Sequence, residues 1–135
     1  MGRGQGSPLI VLDTHVWLWW CDAPQRLSRP ARAEIERQDA VAVSAISCWE
    51  LAMLERQNRL GFDRGVLAWI RQALARERCV LLPITADIAI RGGGLHSHVP
   101  DPADGLIYAT AVEHDVPLAT RDGLLHDLDP ARVIW

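Results

Sequence analysis

The chain has 135 residues, a formal net charge of −3 at pH 7 and 49% hydrophobic residues. This length suits one domain, and no apolar run approaches a membrane span, so we expect a soluble globular protein without a membrane partner. The negative total excludes a general positive field toward nucleic acid. All 14 basic residues are arginine, whose planar fork binds phosphate bidentately, so a local RNA-binding strip stays open. A coding bias toward arginine explains the same composition.

The cysteines and the first residues bear on location and domain limits. The chain has an odd number of cysteines, Cys21, Cys48 and Cys79, and no Cys-x-x-Cys pair. This favours reduced core thiols in a cytoplasmic protein. The glycine-rich start predicts a disordered extension over residues 1–8, followed by one domain over residues 9–135.

The stretch from Leu9 to Asp13 is the first informative segment. Its unbroken aliphatic run predicts a strand buried on both faces, with Asp13 at the carboxyl end. Open α/β sheets place their ligand crevice at that edge. The alternative is that Asp13 only caps the following helix.

Strands and helices then alternate, the pattern of a parallel sheet covered on both faces. An early helix carries three tryptophans, and we expect its exposed apolar surface to be covered by a second copy or another protein. Further helices are predicted from Ser28 to Gln38, from Ser44 to a stop at Gly61, from an Asp63 cap to about Glu77, and from Thr85 to Arg91, where Gly92–Gly94 would end it. Strands are predicted at Ala40–Ser44 and from Cys79, and residues 95–100 as a loop.

Glu50 lies near the start of the helix after the second strand. Its predicted buried stripe is Ile46, Trp49, Met53 and Leu54. One interpretation is structural, since Ser47 and Glu50 have the spacing of a capping box. The functional interpretation is a carboxylate facing the same crevice as Asp13.

Two acids begin the helix after the loop. Asp101 suits the N-cap and Pro102 the first helical position, so Asp104 is an additional acid that a cap does not require. A later strand ends in Thr120 and Asp122, as the first strand ends in Asp13. Short final elements complete the pattern.

Asp13, Glu50, Asp104 and Asp122 are therefore predicted to converge on one crevice. Carboxylates brought together repel, and burying them without a partner is costly. A hard divalent cation such as Mg²⁺ resolves this conflict, accepts phosphate oxygens as further ligands, and can activate water for phosphodiester hydrolysis. No glycine-rich phosphate loop, nucleophile elbow or zinc set competes with this interpretation.

Four stretches of the chain resemble those of PIN-domain ribonucleases, most closely the VapC-type toxins of bacterial toxin–antitoxin pairs. They are Leu12–His15, Ser44–Glu50, Asp101–Ala111 and Ala119–Asp122, in the family's order and spacing. The resemblance implies a three-layer α/β/α sandwich whose five-stranded parallel sheet has the first strand at its centre.

The resemblance also implies a function. It predicts a Mg²⁺- or Mn²⁺-dependent endoribonuclease, cutting RNA such as tRNA or rRNA to 5′-phosphate and 3′-hydroxyl products. It further predicts a homodimer held inactive by a cognate antitoxin. By position, Asp13 and Asp104 would be the main metal ligands and Asp122 a further one. Glu50 would orient or deprotonate the attacking water while belonging to the metal cluster, and Thr120 would hydrogen-bond within it.

The chain departs from the family pattern in three places. Gly105 stands where an arginine is common, Gly92–Gly94 where the helix often continues, and His98 lies three rather than two residues before Asp101. These changes concern loop geometry and substrate choice and leave the acidic residues intact.

Two other classes of protein also place acids at these positions. A phosphatase or phosphotransfer domain with a nucleophilic Asp13 is disfavoured, because His15 stands where a second Asp is needed and the chain has no lysine. The stronger alternative is a catalytically inactive PIN-like binding module whose acids only cap helices. It predicts no effect of metal ions on stability.

Overall fold

Five parallel strands form the sheet in residues 8–135, the part of the chain that the computed structural model describes. The strand order is β3-β2-β1-β4-β5, so the first strand is central, as predicted. The predicted extension lies outside the described residues except for Pro8, whose carbonyl accepts hydrogen bonds from the Asp39 and Ala40 N–H groups at 3.2 and 3.3 Å. The strands are β1 Leu9–Leu12, β2 Ala40–Ser44, β3 Cys79–Leu82, β4 Leu118–Ala119 and β5 Val133–Ile134.

Helices connect every pair of successive strands. Within residues 8–135 they are α1 Thr14–Asp22, α2 Arg29–Arg37, α3 Ala45–Arg56, α4 Val66–Leu74, α5 Ala86–Gly94, α6 Pro102–His114 and α7 Gly123–Leu128, with a 3₁₀ turn at Pro24–Arg26. None of these helices is long and apolar enough to cross a membrane.

The alternation of side chains along β1 creates two cores. Ile10 and Leu12 pack on one face with residues of α1–α4, including the fully buried Trp17. Val11 packs on the other face with residues of α6 and α7. This arrangement follows from the period-two geometry of a strand and gives the predicted three-layer α/β/α sandwich.

The predicted buried stripe of α3 is wrong in part. The buried positions are Ser47, Leu51 and Leu54, at the spacing of one helix face, whereas Trp49 is 55% exposed. The helix also ends at Arg56 rather than near Gly61, because Asn58 adopts a left-handed conformation with φ 59°.

The predicted start of the next helix is also wrong. α4 begins at Val66 after Gly65, and Asp63 does not cap it. Instead the Glu55 carboxylate accepts the Val66 N–H at 2.9 Å, a partner eleven residues away. Capping from another helix therefore sets this helix start.

Gly92–Gly94 do not end α5 at Arg91, since the helix continues through Gly94. A Cβ added to Gly92 would lie 2.9 Å from Leu106 Cδ2, and one added to Gly105 would lie 3.5 Å from the Gly92 carbonyl oxygen. Glycine at position 92 lets α5 approach α6 closely, whereas the distance at position 105 is an ordinary van der Waals contact.

The early tryptophan helix is not an exposed apolar surface. Trp17 is fully buried, and Trp19 and Trp20 are half-buried against the first core. The exposed large apolar side chains in the described residues lie elsewhere, at Trp49, Leu67, Val80, Leu81, Ile84, Ile90, Leu124 and Leu128.

Candidate active site

The four predicted acids all lie on elements that begin at the carboxyl edge of the sheet. Asp13 directly follows β1, Glu50 lies in the second turn of α3, Asp104 in the first turn of α6, and Asp122 at the N-cap of α7. Parallel strands bring these starts together, because each helix leaves from the same edge.

Asp13 both caps a helix and contacts a second element. Its carboxylate accepts the His15 N–H at 2.9 Å and a hydrogen bond from the fully buried Thr120 hydroxyl. The same hydroxyl oxygen accepts the Asp122 N–H at 3.1 Å. Burial raises the pKa of Asp13, and the Thr120 bond offsets only part of that effect. Thr120 therefore joins Asp13 to Asp122, as a residue within the cluster should.

Glu50 is not part of a capping box. Ser44 caps α3 by accepting the Ile46 N–H at 3.2 Å. The Glu50 carboxylate instead accepts a hydrogen bond from Thr14, whose hydroxyl is also 2.8 Å from Ser47 Oγ. Burial raises the pKa of Glu50, and the charges of Asp101 and Asp13 add to this. The capping interpretation of this residue is thus wrong.

Burial and neighbouring acids together raise the pKa of Asp104. The pKa is raised to about 8, and burial is the largest cause. The charge of Asp101 comes next, followed by the hydrogen bond with Asp122 and the charge of Asp122. Asp101 is the N-cap of α6, accepting the Ala103 N–H at 2.9 Å, as predicted. Asp122 accepts the Leu124 and Leu125 N–H groups at 2.8 and 3.2 Å.

No salt bridge in residues 8–135 involves any of these acids. In the same residues, no three His, Cys, Asp or Glu side chains are already arranged to hold a metal ion. The site therefore brings together carboxylates with raised pKa values and leaves their charge without an arginine partner.

Comparison with known proteins identifies the fold and its family. The family model of the PIN domain matches residues 10–129. The chain belongs to the PIN-domain family. It is 46% identical over 114 residues to ribonuclease VapC22 of Mycobacterium tuberculosis (strain ATCC 25618 / H37Rv), an alignment covering 84% of this chain and 86% of that protein. This makes it a PIN-domain protein of the VapC ribonuclease type.

Solved structures share its fold at low identity. VapBC2 from Rickettsia felis, bound to a DNA fragment from its promoter, aligns at 15% identity and a TM-score of 0.63, covering 93% of this chain and 96% of that one. A toxin–antitoxin complex from Klebsiella pneumoniae aligns at 23% identity and a TM-score of 0.58, covering 84% of this chain and 86% of that one. FitAcB from Neisseria gonorrhoeae aligns at 23% identity and a TM-score of 0.58, covering 92% of this chain and 95% of that one.

Sequence reasoning missed Thr14 and Ser47 in this PIN domain. Both are buried polar residues, and together they hold the Glu50 side chain. The signal was present but not local, because Thr14 and Glu50 are 36 residues apart. Thr14 lies directly after Asp13, and Ser47 lies one turn before Glu50.

Proposed function

We propose that this PIN-domain protein is a divalent-cation-dependent endoribonuclease that acts in the cytoplasm as the toxin of a toxin–antitoxin pair. It hydrolyses RNA phosphodiester bonds, leaving 5′-phosphate and 3′-hydroxyl ends. The main observation that supports this proposal is that four carboxylates lie at one edge of the sheet with no ion-pair partner in residues 8–135. The similarity to ribonuclease VapC22 supports RNA as substrate.

The donor chemistry fits a hard cation. All four side chains offer carboxylate oxygens, the ligands that Mg²⁺ and Mn²⁺ accept, and burial followed by repulsion from neighbouring acids raises the Asp104 pKa to about 8. Asp13, Asp104 and Asp122, with Glu50, would hold the ion. When bound, it stabilises negative charge on the phosphate and lowers the pKa of a coordinated water. The proposal rests on donor type and unpaired charge, since these groups do not form a ready-made site in the described residues.

The protein's own groups supply positioning and proton transfer. Glu50, with a raised pKa and held by Thr14, is suited to accept a proton from the attacking water. Thr120 fixes the Asp13 carboxylate by its hydrogen bond. Fixed side chains lose little conformational freedom when substrate binds, which favours the reactive geometry.

Protein partners are the second part of the proposal. We infer a homodimer and a cognate antitoxin, and the antitoxin is supported by a structural neighbour that is a toxin–antitoxin complex. Exposed apolar side chains on the edge strand β3 and near α5 offer a surface for such contacts: Val80, Leu81, Ile84 and Ile90. Light scattering of Ile90→Glu beside the parent tests this. A parent that is monomeric at micromolar concentration contradicts the dimer.

The test of catalysis is cleavage of total tRNA and rRNA with Mg²⁺, Mn²⁺ or EDTA, beside Asp104→Asn. We expect metal-dependent cuts at discrete sites that the variant loses, with 5′-phosphate ends detected by ligation. Activity that persists in EDTA, or in Asp104→Asn, contradicts the mechanism.

One observation favours the alternative of an inactive binding module. Asp13 and Asp122 both cap helices, so their presence has a structural explanation. That alternative predicts neither cleavage nor a change in melting temperature with Mn²⁺. A shift in melting temperature without cleavage would instead mean that the metal site exists and the correct RNA was absent.

A further inference from the structure

Trp19 of α1 is the centre of a small basic and aromatic cluster. The guanidinium carbon of Arg26 lies 4.8 Å from the centroid of its ring, and that of Arg121 lies 5.6 Å away. The rings of Trp135 and His15 lie 5.9 and 6.1 Å from it. Trp19 therefore brings together two arginines from distant parts of the chain.

This cluster borders the acidic site. Arg121 stands between Thr120 and Asp122, and His15 donates its backbone N–H to Asp13. Trp135 directly follows β5, whose Ile134 carbonyl accepts the Thr120 N–H at 3.2 Å. The two arginines thus lie beside the carboxylates rather than among them.

The guanidinium groups of Arg26 and Arg121 are available for a ligand. Both residues are exposed, and within residues 8–135 neither side chain forms a salt bridge or donates a hydrogen bond to the protein. Contact with an aromatic face holds a guanidinium by cation–π attraction and leaves its N–H edge free. Such an edge can bind a phosphate bidentately.

We propose that Trp19, Arg26 and Arg121 form a clamp for RNA backbone phosphates next to the bond that is cut. The net-negative chain and its acidic site repel RNA, so positive groups beside the carboxylates must offset that repulsion. The nature of the ligand rests on the proposed ribonuclease function. The existence of a phosphate clamp rests on the arginine geometry.

The experiment measures RNA binding without cleavage. A fluorescent single-stranded RNA is titrated in EDTA with Asp104→Asn protein, and the binding constant is followed by anisotropy at several KCl concentrations. Each phosphate contact to single-stranded nucleic acid contributes about 0.7 to the slope of log K against log salt. This slope is negative, and we expect Arg26→Gln and Arg121→Gln each to reduce its magnitude by about 0.7. The double variant should reduce it by about 1.4.

Arg76 provides a matched control. Its guanidinium lies 4.6 Å from the ring centroid of Trp20 on the same helix, but it precedes β3 at the amino ends of the strands. Arg76→Gln removes the same charge and the same type of contact. We expect its slope to equal that of the parent.

Trp19→Leu tests the role of the aromatic ring separately from the charge of the two arginines. It keeps both arginines but removes the ring that holds them, so we expect weaker binding, by roughly 2- to 5-fold, as for the loss of an exposed cation–π contact, with an unchanged slope. Thermal melts confirm folding of each variant.

An unchanged slope in the Arg26/Arg121 double variant overturns the proposal, as does an equal loss in Arg76→Gln, which would show only an effect of net charge. An unchanged RNA slope with weaker binding of a poly-glutamate peptide would assign these arginines to a protein partner and also overturn it. A changed slope in a protein that never cuts RNA would retain the clamp and reject the ribonuclease.

Discussion

Charged side chains have different partners at the two edges of the sheet. At the amino edge, Arg132 precedes β5 and donates from Nη1 to the Ala111 and Val116 carbonyls at 3.3 and 3.0 Å. It also pairs with Asp129 and Asp115, both at 3.3 Å. At the carboxyl edge, burial and then the charges of neighbouring acids raise the pKa of Asp104 to about 8.

A second arginine repeats this pattern at the amino edge. Arg78 precedes β3 and donates to the carbonyls of Ile35, Gln38 and Asp39 at 2.7, 2.8 and 3.4 Å. Charges at this edge satisfy the backbone and stabilise the fold. Charges at the other edge repel one another. Stability and the proposed chemistry are therefore located at opposite ends of the same strands.

The largest expected effect comes from neutralising one acid at the carboxyl edge. Asp13→Asn should lower RNA cleavage by at least roughly 100-fold, since it removes charge from the proposed metal site. The melting temperature should stay the same or rise, because asparagine still caps α1 and one repelling charge is gone. Cleavage and thermal melts of the same sample check both parts. Cleavage at the parent rate would exclude a catalytic role for Asp13.

The opposite result is expected at the amino edge. Arg132→Met should destabilise the protein by about 2–3 kcal/mol, because the Val116 carbonyl loses this donor and both aspartate pairs of Arg132 are lost. The Ala111 carbonyl also loses this donor but still accepts the Val116 N–H. The folded fraction should still cut RNA. Urea unfolding measures the effect, with Arg59→Met, which changes an exposed side chain, as control. A loss of activity without a loss of stability would contradict the assignment of Arg132 to stability alone.

Sequence patterns predicted the elements whose signals are local. The aliphatic run of β1 and the Asp101-Pro102 start of α6 both appear where expected. The order of the strands came from the family resemblance, and the structure confirms it. The convergence of the acids followed from placing each of them where its strand ends or its helix begins.

The failures have non-local causes. α4 begins where Glu55 from α3 caps Val66, and no local signal near Asp63 could reveal that contact. Thr14 is tied to Glu50 across 36 residues, so the capping-box spacing of Ser47 and Glu50 was misleading. Gly92–Gly94 remain helical despite their low helix propensity, and Gly92 packs closely against Leu106 of α6, a contact that the local sequence does not reveal.

The acidity of the carboxyl edge predicts how stability depends on pH. The Asp104 pKa rises from 3.8 to about 8 on folding, so between these values the folded state holds more protons than the unfolded state. Stability without metal should therefore fall as pH rises from about 4 to about 8. Because Asp104 is partly solvent-exposed, we discount the effect to about 1 kcal/mol, or roughly 3–5 °C in melting temperature.

Melting temperatures in EDTA at pH 5.5 and 8 measure this difference. Asp104→Asn should flatten it, whereas the exposed Asp63→Asn should not. Mn²⁺ should raise the melting temperature more at pH 8 than at pH 5.5, because a ligand must lose its proton before it binds the ion. A protein that is more stable at pH 8 than at pH 5.5 in EDTA would contradict the raised pKa of Asp104.

The smallest expected effect comes from Gly93 in α5, where a substitution should stabilise the protein without changing the acids of the carboxyl edge. Gly93 lies in α5, and a Cβ there would meet nothing within 4 Å. Gly93→Ala should therefore stabilise the protein by roughly 0.5–1 kcal/mol through helix propensity alone, with cleavage unchanged. Urea unfolding and the RNA assay measure the two parts.

Gly92→Ala is the matched variant, since it makes the same change one residue earlier. Its Cβ would lie 2.9 Å from Leu106 Cδ2, so Leu106 must move and part of the propensity gain is lost. Leu106 lies in the same turn of α6 as Asp104, and its displacement should also slow cleavage. Equal stability and activity in the two variants would show that the acidic turn of α6 does not depend on its close approach to α5.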